Sequence, residues 1–407
     1  MLLETRPDTD RATEHGSVGG VGRGTNQSAM RASNERLVLS LIRRAGPMSK
    51  AEIARMTGLS AQTVSVIMRA LEQDGLLTRG APVRGKVGQP SVPMGLNRDG
   101  AFFLGLKVGR RAAELVLIDF LGDVKFHRRQ AHRIPTPDNV VQFAQQVSGD
   151  FLNKLPKAQR SRVAGLGIAL PFRLWDWAET TDVGDNGLAA WRTRDIAAEI
   201  SASLDVPTYL CNDASAACGA ELVFGDQNKP RDFLYFYIGD FVGGGLVLDN
   251  ALYTGKSGNA AALGSIPVTT GNGTACQLVD LASLVALEAE LANLGKDTTT
   301  LWDRPDHWHL PQGVLGAWLD QAASGLAQAI VSSTCLVDFA TVLIDGAMPP
   351  DLRAELVRRT TATLHTLTVP GISFPEIRQG TIGYRAKTLG AASLPLSDRF
   401  LVDRETI

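Results

Sequence analysis

Asn212 and Asp213 stand where a short strand pattern, Thr208–Leu210, runs into a helix of small residues, DASAACGAE. An aspartate at a helix start can accept a proton from a hydroxyl. It can equally cap the helix or hydrogen-bond a ligand. The residues alone leave these roles open. A glycine run at 243–245 follows the apolar segment Phe233–Ile238. Such a run lets backbone approach a phosphate, or it closes a tight β-hairpin.

A different chemistry is written into Ser49–Leu77. Ser49 and Glu52 have capping-box spacing, Gly58 suits a turn with φ > 0, and Ser60 caps a second helix. Val64, Ile67, Met68 and Leu71 recur at i, i+3, i+4, i+7 and form one buried stripe. Ser60, Gln62, Thr63, Ser65 and Arg69 are left outside it. Short polar side chains near a helix N-terminus suit the major groove, and the positive helix end suits phosphate. The alternative is an ordinary αα-hairpin.

These groups need elements to hold them. Asn34–Ala45, with Leu37, Val38, Leu41 and Ile42 on one face, reads as a third helix stopped by Gly46-Pro47. Residues 78–97 are rich in Gly and Pro and carry Arg84, Lys86 and Gln89. They read as a β-ribbon wing whose basic tip enters the minor groove, or as a linker. From Ala101 onward strands and helices alternate: FFLGLKVG, AELVLID, a helix over 138–154, Val163–Leu170, a helix over 195–204, a helix over 318–336 and Thr341–Ile344. This is an α/β pattern.

The chain has 407 residues, 44% of them hydrophobic, which suits two or three domains. Residues 31–100 carry eleven Lys/Arg against five Asp/Glu, a net of +6; residues 101–407 carry 27 against 33, a net of −6. A polyanion partner is therefore expected for the first part only. Cys211, Cys218, Cys276 and Cys335 are scattered, which excludes a disulfide framework and fits a reducing cytoplasm. The first 32 residues are polar and Gly-rich and read as a disordered leader, not a signal peptide. No apolar run has the length of a membrane span.

Taken together, LGLKVG, GLGIALP, CNDASAACGAE, GDFVGGG, YTGKSGNAAALGS and FATVLIDGAM, in this order behind a winged helix-turn-helix, resemble the ROK family of repressors, open reading frames and kinases. The resemblance covers residues 34–395. It implies a two-lobed, actin-like ATPase (ribonuclease H-like) fold of sugar-kinase type with a sugar cleft between α/β lobes. The expected division is a leader at 1–32, a winged helix-turn-helix at 33–98, a first lobe at 99–210 completed by 384–407, and a second lobe at 211–383.

Family kinases place an aspartate where this chain has Lys107, followed by a glycine-rich turn where it has Val108-Gly109-Arg110-Arg111. A lysine cannot support magnesium as a carboxylate does. The sugar-binding glutamate and zinc histidine of the family are Ala262 and Ser265 here, and Cys276 alone remains of the cysteine cluster, so no metal is expected. His307 and His309 suit a solvated or packed pair. Trp175, Trp177 and Glu179 follow the GIALP strand, where a ring stacks on sugar or packs a lobe.

By resemblance, Asn212, Asp213, Gly243, Gly244 and Asn259 bind ligand. The expected protein is a cytoplasmic, sugar-responsive regulator of carbohydrate genes, a repressor. Its expected partners are double-stranded operator DNA, a small sugar effector and its own copies in a homodimer or homotetramer, with no membrane and no cofactor. The alternative is a sugar kinase carrying a DNA-binding domain.

Overall fold

A computed structural model describes residues 25–83, 91–172, 174, 188–226 and 230–402. Arg84, Lys86, Gln89, Trp175, Trp177 and Glu179 lie outside the described residues.

The N-terminal unit comprises α1 (Thr25–Ala45), α2 (Lys50–Thr57), α3 (Ala61–Gln73) and an antiparallel ribbon of β1 (Leu77–Arg79) and β2 (Met94–Leu96). The first helix begins nine residues before the expected Asn34, so residues 25–32 are helical and not a disordered leader. Its early turns lack an apolar stripe, residues 28–32 are exposed, and an Arg31–Glu35 pair at i,i+4 spans one turn. Val64 and Met68 are fully buried and Ile67 and Leu71 nearly so. Each such side chain contributes about 2 kcal/mol of burial. The ribbon continues through a Val83–Ser91 bridge, and Met94 also pairs with Met48, tying it to the start of the helical turn.

The body repeats one sheet plan twice. The first sheet orders its strands β5-β4-β3-β6-β7, from β3 (Phe102–Val108), β4 (Ala112–Asp119), β5 (Val124–Ala131), β6 (Val163–Leu170) and β7 (Thr208–Asn212). α4 (Pro137–Lys154), the short α5 (Lys157–Arg160) and α6 (Ile196–Leu204) connect them, and α7 (Asp213–Phe224) leads out. The second sheet is β10-β9-β8-β13-β14. It starts with the meander β8 (Phe233–Ile238), β9 (Val242–Leu248) and β10 (Ala251–Tyr253). A small ribbon of β11 (Pro267–Thr269) and β12 (Ala275–Gln277) follows, then α8 (Leu278–Ala282), α9 (Leu284–Asn293), α10 (Thr299–Asp303) and α11 (Gln312–Thr334). β13 (Thr341–Gly346), α12 (Pro350–Leu364), β14 (Glu376–Gln379) and α13 (Ala386–Phe400) complete the chain. In each sheet an antiparallel three-strand meander is extended by two parallel strands. No described helix is long and apolar enough to cross a membrane.

The glycine run lies inside β9 and not in a loop. A Cβ on Gly243 would come 2.5 Å from Ala214 Cβ, and one on Gly245 would come 2.2 Å from Cys218 Cβ. The glycines let α7 settle on the strand. Helix α11 starts six residues before the expected Trp318, with Trp318 fully buried and its indole N–H donating to Ser283 O at 3.2 Å.

Helix α13 crosses the back of the first sheet and packs against α7. A Cβ on Gly105 would lie 2.5 Å from Ala392 N, and one on Gly167 only 1.8 Å from Ala391 O. At its far end Phe400 meets Phe103 and Phe120, with ring centroids 5.7 and 5.1 Å away. These rings share one apolar cluster with Val38, Ile42, Ile53, Val64 and Met68. The winged helix and the first lobe thus have a common core.

Gly167→Ala is expected to cost about 3 kcal/mol, because the added methyl meets fixed backbone. Gly149→Ala, with nothing within 4 Å of its Cβ inside α4, is expected to gain roughly 0.5–1 kcal/mol. Urea unfolding of both variants checks the pair.

Candidate nucleic-acid interface and interlobe cleft

The helix-turn-helix is closed by reciprocal capping. Ser49 Oγ accepts from Glu52 N at 3.3 Å, while Glu52 Oε2 accepts from Ser49 N at 2.8 Å. Gly58 adopts φ 71° at the turn, where a side chain would be strained. Ser60 Oγ accepts from Thr63 N at 3.1 Å and caps α3. The sequence-derived outer face divides in two. Gln62 and Arg69 are exposed. Thr63 and Ser65 are half-buried and already engaged: the Thr63 hydroxyl lies 2.8 Å from Ser60 Oγ, and Ser65 Oγ accepts from Lys50 Nζ at 3.2 Å. Val66, 54% exposed, joins Gln62 and Arg69 on this face. An apolar residue outside the buried stripe carries no polar signal of a contact face. A period of 3.6 that buries 64, 67, 68 and 71 leaves 62, 65, 66 and 69 outside, and an apolar group there fits a thymine methyl.

Between the lobes lies a cleft of about 390 Å³. Asn212, Asp213, Gly243, Gly244 and Asn259 all line it, as do Lys107, Ala262 and Ser265. Asn212 caps α7, its Oδ1 accepting from Ala214 N at 3.0 Å and Ser215 N at 3.3 Å. Asp213, at the first turn, accepts from Lys387 Nζ at 2.5 Å, and that ammonium also lies 4.9 Å from the Tyr237 ring centroid.

Lys107 donates to Glu114 Oε1 at 2.9 Å, and the two side chains are 21% and 18% exposed. Burial opposes charge on both. The attraction of Glu114, with Asp240 and Asp213 beyond it, still raises the Lys107 ammonium. Burial pushes the Glu114 carboxyl up, but Lys107 and His127 outweigh it and hold the carboxyl well below the usual range. Burial lowers His132, whose Nε2 sits 2.9 Å from Gly109 O at the foot of the β3–β4 turn.

Arg111 spans the cleft. From the β3–β4 turn of the first lobe it donates to Asp240 Oδ1 at 3.3 Å and Glu288 Oε2 at 2.6 Å in the second. Its guanidinium lies 4.0 Å from the Trp302 ring centroid, and Trp302 Nε1 donates to Glu288 Oε1 at 2.8 Å. The sequence marks Arg111 only by its place in the turn after Lys107, and it does not mark Glu288, Trp302 or Lys387. Their partners are up to 177 residues away, and no local signal marks them. His307 and His309 form an exposed pair with Nε2 atoms 3.1 Å apart. Among the described residues no group of three His, Cys, Asp or Glu side chains is set to hold a metal.

A winged helix-turn-helix on two lobes with matching sheets and a cleft between them defines a regulator-type chain built on an actin-like, sugar-kinase body. Residues 103–397 match the ROK family, and the chain belongs to it. Residues 31–78 match the winged helix-turn-helix DNA-binding family. An uncharacterized protein, y4fQ, of Sinorhizobium fredii is 28% identical over 376 residues, 90% of this chain and 91% of that protein. The xylose repressor of Bacillus subtilis is 25% identical over 251 residues, 62% of this chain and 64% of the repressor. In fold, the chain is similar to a ROK family transcriptional regulator, a homologue of the E. coli MLC protein. That match has a TM-score of 0.65 at 20% identity, covering 91% of this chain and 97% of that one. A ROK family glucokinase from Streptomyces griseus in complex with glucose and AMPPNP gives a TM-score of 0.54 at 18% identity, over 72% of this chain and 99% of that one.

Glu114→Gln leaves the Lys107 ammonium without its ion-pair partner and is expected to cost about 3 kcal/mol at neutral pH. The Glu114 pKa is lower in the folded than in the unfolded chain. Its stabilisation is therefore complete above about pH 4.3 and is lost as pH falls through the folded value. Urea titrations of wild type and variant across pH 3–7, roughly the carboxylate range, should show the gap narrowing at the acid end.

Proposed function

We propose that the protein is a sugar-responsive transcriptional repressor: it holds operator DNA through α3 and the β1–β2 wing, and releases it when a sugar or sugar derivative enters the interlobe cleft. The observation that carries this reading is the common core of winged helix and first lobe. A change in lobe angle at the cleft then reorients the DNA reader directly. Linkage requires the sugar to bind the non-DNA-competent state better, typically by about 1–3 kcal/mol. Two copies related by a two-fold axis would set two α3 helices in successive major grooves of a pseudo-palindrome. Relatives named as xylose repressors support the sugar class.

In this reading the cleft binds without phosphorylating. Lys107 occupies the place of the family kinases' aspartate and is itself ion-paired to Glu114. Arg111 occupies the turn that in those kinases approaches ATP, and its side chain bridges to the second lobe. Asp213, the residue that resembles their general base, is engaged by Lys387. The Asp213 Oδ2 that the Lys387 ammonium occupies is therefore not open to a substrate hydroxyl.

Fluorescence anisotropy with DNA upstream of the protein's own gene and of neighbouring sugar-metabolism genes tests the repressor reading. Gln62→Ala is expected to cost about 1–3 kcal/mol and to relax specificity at one base pair. Arg69→Ala should weaken all sequences alike and reduce the salt slope by about 1. Binding no tighter than to random DNA, or ATP-dependent turnover of a hexose that Asp213→Asn abolishes, would sink it.

A further inference from the structure

The charges of the cleft do not cancel evenly. Glu114 is taken by Lys107, with His127 and Thr388 at 3.4 Å; Asp213 is taken by Lys387; Asp240 and Glu288 are both taken by Arg111. Two further guanidiniums line the same cleft, Arg110 and Arg129, and neither has a carboxylate partner among the described residues. They line it from the β3–β4 turn and from β5, where Arg129 is exposed. Arg110 is half-buried in the β3–β4 turn, which is pinned by Gly109 N donating to Ala112 O at 3.0 Å and by His132 against Gly109 O. Arg129 stands directly across from Glu114 in the β4–β5 register, so both side chains leave the sheet on the cleft side. Lys107 lies opposite Glu114 on the next strand, so the ammonium and both guanidiniums flank one corner of the first lobe.

We infer that the cleft selects an acidic sugar, one carrying a carboxylate or a phosphate, and that Arg110 and Arg129 hold its negative group. The inference rests on the sugar-effector reading above and narrows it. Lobe closure over a neutral sugar would desolvate the half-buried Arg110, and draw in the exposed Arg129, with no carboxylate to offset the loss, whereas an anion supplies charge-assisted, fork-shaped hydrogen bonds. Arg111 does not serve this role, because its Nε and Nη2 are already committed to Asp240 and Glu288 across the cleft. The neutral hydroxyls of the same ligand fall to Asn259 and the backbone of the cleft floor, where Ala262 and Ser265 offer no charge.

Isothermal titration of the full-length protein with matched sugars tests this. Glucose, galactose and xylose would be compared with their uronates, aldonates and phosphates at constant ionic strength. The expected result is that one acidic member binds about tenfold or more tighter than its neutral parent. The Arg110→Ala/Arg129→Ala double variant should lose about tenfold or more for that acidic sugar while binding DNA as wild type does. Carboxylate and phosphate arms identify which anion is meant. A neutral sugar that binds as well as or better than its acidic partners overturns the inference and leaves the sugar-effector reading standing. Acidic binding that the double variant leaves untouched overturns the assignment to these two arginines. No binding by any member overturns both readings.

Discussion

The contact on which the rest of the molecule turns is the aromatic junction of Phe103, Phe120 and Phe400. Phe103 and Phe120 come from the first sheet and the end of β4, Phe400 from the last helix. Arg43, from α1, donates to Phe120 O at 2.5 Å and lies 5.3 Å from its ring centroid. Burial pushes that guanidinium down to about 10. Arg162 donates to Asp74 O at 3.1 Å and to Gly100 O at 2.9 Å, and Val402 N donates to Ser40 Oγ at 3.0 Å. Apolar burial supplies the strength of this junction, and the polar bonds at its rim set its angle.

The cleft end of the molecule is held by charge instead. Buried or half-buried carboxylates recur in pairs with cations: Lys107 with Glu114, Lys387 with Asp213, Arg111 with Asp240 and Glu288. Deeper in the second lobe, fully buried Asp345 accepts from Arg353, Tyr235 and the backbone of Gly346 and Gly383. Removing one partner from such a set leaves the other charge buried, so each pair specifies a geometry more than it adds stability. Arg111 carries one such clasp from the β3–β4 turn to the second lobe, and its partly exposed side chain leaves the contact partly screened by water.

Much of this was legible in the sequence. The capping box at Ser49 and Glu52, the Gly58 turn and the stripe on α3 are local patterns, and β6 and β8 ran over the residues their apolar runs marked. Asn212 and Asp213 were found together in the cleft because strand end and helix start fall there in one stretch of chain. Other features had no local signal. The early turns of α1 lack an apolar face. The run at 243–245 is strand because α7 needs close approach, and glycines, having no side chains, do not display which neighbour they accommodate. The bond from Arg111 to Glu288 joins residues that only the folded lobes bring together.

The shared core also bears on how such a chain is assembled from parts. A DNA reader joined to a sugar-binding body by a tether can be exchanged for another reader by cutting the tether. Here a cut near residue 100 would bare Ile42, Leu71 and Leu77 on one side and Phe103, Phe120 and Phe400 on the other. Chimeras made by splicing at that boundary would inherit two mismatched apolar faces. The reader and helix α13, far apart in sequence, are therefore bound to change together, and exchange can move them only as a matched set.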